Sequence, residues 1–196
     1  MSPSGRRKSI WPLMAAVAAL LFALVTAADT AAPDPILRER LREAMADIDS
    51  FEDRFEAQVW LTDMAIRLGN QVKDPNERVF ILKQAHLEAT QVDMPPEMVL
   101  AVIDIESAFD AYAVSRAGAQ GLMQVMPFWL DEIGRPGDRL VDIRTNLRMG
   151  CTILRYYYDM EDGDWTRALG RYNGSLGSRV YPEKVLTRLS TRWFQH

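Results

Sequence analysis

Glu106 closes an apolar run, Met98-Val99-Leu100-Ala101-Val102-Ile103-Asp104-Ile105-Glu106, and a stretch rich in small residues follows it. The run is apolar nearly all round, which predicts a buried helix. On that helix Glu106 shares a face with Val102 and Ile103, at the i−4 and i−3 positions. Burial disfavours a charged carboxyl, and the negative end of the helix dipole acts in the same direction at a C-terminal position, so both effects raise the pKa expected for Glu106. A carboxyl that keeps its proton near neutral pH is a general acid, the group that acid-catalysed cleavage of a glycosidic bond requires. A surface Glu at a frayed helix end is the alternative that this residue alone leaves open.

A second carboxyl is the usual companion, about 5 Å away in retaining glycosidases and about 6.5–9.5 Å away in inverting ones. The sequence offers no obvious one. Asp104, two residues before Glu106, points to another side of the helix and reads as an ion-pair partner or an exposed position. Asp110 reads as a turn residue that caps backbone N–H groups. A lone acid working with a nucleophile carried by the substrate is consistent with both.

The elements that must position Glu106 read as helices. Met94-Pro95-Pro96-Glu97 is a helix start, with proline where its missing N–H costs nothing. Upstream, Leu37, Leu41, Met45, Ile48, Phe55, Val59 and Ile66 recur at helical steps, so residues 36–68 form one amphipathic helix, or a pair broken near Asp49-Ser50. We expect it to pack on the following domain rather than to dimerise as a coiled coil. Lys73-Asp74-Pro75-Asn76 interrupts the pattern before a helix over Glu77 to Thr90. Downstream, Arg116 to Gln120 is a turn in which Gly118 and Gly121 permit close approach, and Leu122 to Ile133 is helical with an interruption at Pro127. A helix over Asn146 to Asp159 carries Cys151, Asp164 caps a short helix that ends at Tyr172 and Asn173, and Tyr181-Pro182 precedes a final helix bearing Val185, Leu186, Leu189 and Trp193. No stretch alternates strongly enough for a strand, so the fold is expected to be mainly α.

Composition narrows the class. Arg6-Arg7-Lys8, the apolar run Ile10 to Val25 and the small residues around Ala27-Ala28 form an export signal over residues 1–28; an uncleaved inner-membrane signal anchor is the alternative. The net charge is −4. Loss of the leader would make it more negative, and an acidic chain is a poor partner for nucleic acid. From residue 101 onward acids and bases balance, so that half would not repel an anionic polymer. Cys151 is the single cysteine, which leaves no disulfide and no lipid-attachment site after the leader, and it reads as core packing. His86 and His196 lie far apart and no Cys/His cluster exists, so neither a metal nor a cofactor is expected.

Glu106-Ser107-x-Phe109, the run Ser115-x-x-Gly118-Ala119-x-Gly121-Leu122-Met123-Gln124-x-x-Pro127 and the later Tyr172-Asn173 together resemble the signature motifs of the family 1 lytic transglycosylases, the SLT-domain murein enzymes. The resemblance covers roughly residues 76 to 190. It implies a lysozyme-like (goose-type/SLT) catalytic domain over 76–196, preceded by a linker and helical extension over 29–75. It also implies cleavage of the β-1,4 bond between N-acetylmuramic acid and N-acetylglucosamine in peptidoglycan, with a 1,6-anhydro end left on the muramic acid. Glu106 matches the sole acid/base. Ser115 and Gln124 match positions that hydrogen-bond the sugar, Met123 the cleft edge, and Tyr172 the tyrosine whose hydroxyl orients the glutamate, with Asn173 completing that motif. The family usually has Ala where this chain has Arg171, which reads as a surface arginine or as a cation reaching a substrate carboxylate. A periplasmic monomer acting on glycan strands is the expectation. A hydrolytic muramidase and a catalytically weak glycan-binding scaffold of a cell-wall machine are the rivals.

Overall fold

The computed structural model describes residues 35–45 and 54–194. The expected leader, the break near Asp49-Ser50, Ile48 and His196 lie outside the described residues. The described residues form eight α-helices: α1 (Pro35–Met45), α2 (Arg54–Leu68), α3 (Pro75–Gln91), α4 (Pro96–Glu106), α5 (Trp129–Ile133), α6 (Ile143–Met160), α7 (Trp165–Tyr172) and α8 (Val180–Arg188). A π-helical turn, Leu189–Trp193, follows α8. The mainly α expectation is met; among the described residues β pairing is confined to two isolated antiparallel bridges, Val114 with Gln120 and Gln120 with Val125.

Local chemistry starts these helices. Asp74, Asp142 and Asp164 each occupy an N-cap and accept from a backbone N–H in the first turn, those of Asn76, Thr145 and Arg167. Pro75 and Pro96 stand in the opening turns of α3 and α4. The last helix begins earlier than the sequence suggested, because Pro182 is its third residue, where the backbone N–H would have had no helical partner in any case. The expected helix from Leu122 is absent. Gly121 and Gln124 have φ of 76° and 50°, and Gln120 pairs with Val125 on both backbone atoms, so the chain turns there and helix resumes only at Trp129.

Every residue of α4 from Met98 to Asp104 is buried. The surrounding elements are α3, α8 and the π-helical turn. Helices α1 and α2 pack with α3, and Leu37, Leu41, Trp60 and Met64 belong to the same continuous core as α4. The phase of α2 differs from the expected stripe. Phe55, Val59 and Ile66 face solvent, and Ala57, Trp60, Leu61, Met64, Ala65 and Leu68 face inward. Both faces are apolar, and the one bearing Trp60 buries more surface. Arg78, itself buried, closes the C-terminal end of α2 by donating to Ala65 O and Val72 O.

Candidate active site

Glu106 is the last residue of α4, half-buried at the mouth of a cleft of about 370 Å³. Ile105, Asn173, Ser175, Ser178, Tyr181 and Lys184 share the walls with it. Burial pushes its carboxyl above the ordinary range, and a hydrogen bond from Tyr181 partly opposes this. That bond runs from Tyr181 Oη to Glu106 Oε1 at 2.6 Å. Tyr181 lies in the first turn of α8, and its own hydroxyl is held well above its usual range by burial and by the Glu106 charge, so it stays a donor.

The backbone turns sharply after Glu106. Ala108 and Phe109 both have positive φ, 51° and 69°, a region that disfavours L residues by about 1–2 kcal/mol each. The Phe109 ring, buried against Trp193 at 5.4 Å between centroids, holds the turn in place. Ser107 then donates its hydroxyl to Leu122 O at 2.8 Å and ties the end of α4 to the following loop. Asn146, buried on α6, fixes that loop from the other side. Its amide donates to Gln120 O and Leu140 O, and its oxygen accepts from Met123 N, all at 2.8 Å. Only glycine fits at 121, where a Cβ would strike the Asn146 amide and lie 2.5 Å from Leu140 O.

The other residues singled out in the sequence separate into two groups. Asn173, the C-cap of α7, lines the Glu106 cleft. Met123 is wholly buried, packed against Gly150, so its side chain is core rather than cleft edge. Gln124 donates its amide to Ala113 O and Gly121 O, bracing the loop, and exposed Ser115 accepts from Ala119 N to close a tight turn. The hydroxyl of Tyr172 donates to Met123 O at 2.7 Å, so the hydrogen bond expected from Tyr172 to Glu106 is made by Tyr181 instead. Tyr172 is near enough for the Glu106 charge, after burial, to raise its pKa further.

Several other charges near the site are engaged. Asp104 is buried, accepting from Gln71 Nε2 at 2.7 Å and Trp193 Nε1 at 3.0 Å, with Arg188 and Arg192 each at 3.4 Å. This is the ion-pair reading of Asp104, not the exposed one. Asp110 caps Tyr112 N at 2.9 Å. Arg171 is neither a free surface arginine nor a cleft cation, because it pairs with Glu161, as Arg167 does.

The model of the Transglycosylase SLT domain matches residues 85–183. Over 89 residues the chain is 35% identical to the membrane-bound lytic murein transglycosylase D of Escherichia coli strain K12, an alignment covering 43% of this chain and 20% of that protein. Over 135 residues it is 27% identical to the soluble lytic murein transglycosylase of the same strain, covering 63% and 21%. The chain therefore spans about a fifth of the length of these relatives. A solved structure of the Pseudomonas aeruginosa lytic transglycosylase Slt, an inactive mutant, aligns at 22% identity with a TM-score of 0.45, covering 81% of this chain and 27% of that one. The family match takes in Glu106, the loop that follows it, Tyr172 and Tyr181 across half of the sequence, and the chain belongs to the Transglycosylase SLT domain family.

Proposed function

We propose that this chain is a lysozyme-like lytic transglycosylase that cuts the β-1,4 bond between N-acetylmuramic acid and N-acetylglucosamine in peptidoglycan, leaving 1,6-anhydromuramic acid ends. The observation that carries the reading is that, among the described residues, Glu106 is the one carboxyl lining its cleft, with its pKa raised by burial. A protonated Glu106 gives its proton to the glycosidic oxygen as the C1–O bond breaks, and positive charge develops at C1 of the muramic acid. The resulting carboxylate then takes the proton of the C6 hydroxyl while O6 closes onto C1. No water is consumed, and the carboxyl ends the cycle protonated. Tyr181 steadies the ionised intermediate stage through its hydrogen bond to Oε1.

Asn173, Ser175 and Ser178 present polar side chains to the sugar from the cleft wall. Tyr172, Met123 and Gln124 act indirectly, by holding the loop that follows Glu106. The leader motif in the first 28 residues and the family support export to the periplasm. The mature chain should then begin near Asp29.

Mass spectrometry of murein digested by the purified protein tests the activity. Anhydro ends, lighter than reducing ends by one water, are expected. Glu106→Gln, which keeps shape and hydrogen bonding but cannot transfer the proton, should lower turnover by about 10²–10⁴-fold. Reducing ends in place of anhydro ends would establish a muramidase, and release of neither would leave a glycan binder.

A further inference from the structure

The Glu106 cleft has a neighbour. Along α8 a second recess of about 690 Å³ lies beside it, and the two share Ile105, Val180 and Lys184 as walls. Lys184 thus stands where cleft and recess meet, and Arg188, one turn further along α8, faces the recess. The carboxylates nearby are occupied. Glu183 pairs with Arg179 at 3.4 Å, and Asp104 is shared by Arg188 and Arg192. Two arginines on one buried carboxylate leave positive charge in excess. Among the described residues Lys184 has no ion-pair partner. In a chain of net charge −4, the recess beside the acid is locally positive.

We propose that Lys184, with Arg188 behind it, receives a carboxylate of the peptide stem carried by the murein strand, so that the stem lies along α8 while Glu106 addresses the glycosidic bond. The proposal rests on the glycan-cleaving reading. The sugars of such a strand are neutral once the lactyl group is joined to the stem in amide linkage, and the negative charge resides in the free carboxyl groups of the stem. The stem hangs from the same muramic acid whose C1 is attacked, so a cation one recess away from Glu106 meets that charge. The attraction of an exposed cation is modest in size and sensitive to salt, and its main effect is on which strands bind.

The experiment measures binding in the Glu106→Gln background, so that turnover does not intervene. Soluble murein fragments with native stems are titrated against the same fragments whose stem carboxyls have been converted to carboxamides. The native fragments should bind about five-fold more tightly at low salt. That advantage should shrink at high salt, vanish in Lys184→Met and survive in Lys184→Arg. Equal binding of the two fragment types, or an advantage that persists in Lys184→Met, overturns the stem assignment and leaves the glycan reading intact. Failure of both fragments to bind overturns the glycan reading and the stem assignment together.

Discussion

Removing the Tyr181 hydroxyl by Tyr181→Phe tests the centre of the proposed mechanism. The ring of Tyr181 is buried at 8% exposure, so phenylalanine keeps the packing and deletes one oxygen, the donor 2.6 Å from Glu106 Oε1. A hydrogen bond to an ionised group contributes about 1.5–3 kcal/mol. Here it acts on the carboxylate formed after the first proton transfer, so losing it should lower kcat by roughly ten- to 150-fold. The same bond lowers the Glu106 pKa against the larger effect of burial. Without it the carboxyl holds its proton to higher pH, and the alkaline limb of kcat/KM should move upward as the plateau falls. The assay is the initial rate of anhydromuropeptide release across a pH series, with thermal unfolding run in parallel. A kcat within two-fold of the parent, or a reduced kcat with an unmoved alkaline limb, would refute the role given to Tyr181.

Tyr172→Phe should show the reverse balance. It leaves Met123 O without its donor, so a loss of about 1–3 kcal/mol in stability is expected, with a smaller drop in kcat than for Tyr181→Phe; calorimetry and rates on both variants decide. Glu106→Gln should become more stable relative to the parent as pH rises. The folded carboxyl is pushed above its unfolded value, near 4.3, so the native state binds the proton more tightly and loses stability through that window, whereas glutamine does not ionise. A difference in Tm that stays constant between acid and neutral pH would contradict this. Gly121→Ala combines a positive φ of 76° with a clash against Asn146 and Leu140 O, and should cost about 3 kcal/mol or more in chemical unfolding.

The acid and its helix were legible because the signals are local: a proline start, an all-apolar run and a carboxyl at the end. The caps at Asp74, Asp142 and Asp164 belong to the same class of signal, although only Asp164 was read as one. Tyr181 was not legible as the partner of Glu106. It lies 75 residues downstream, and no periodicity connects the two positions. The turn at Gln124 was missed for a different reason, since nothing local tells a Gln of positive φ from a helical one; the conformation is imposed by Asn146 from across the loop. In α2 two apolar faces competed, and burial selected the one bearing Trp60 over the one bearing Phe55.

The distances in sequence between Glu106 and the groups that complete its surroundings set an order of events during synthesis. The donor to its carboxyl comes from residue 181, and the indole that anchors Asp104 on the same helix comes from residue 193, 89 positions after its acceptor. A nascent chain that has made α4 and the loop after it lacks the hydrogen bond to the carboxyl, because its donor arrives only with the last helix. For the proposed glycan cleavage this amounts to a delay, since Glu106 acquires its hydrogen-bonded setting only when the closing residues dock.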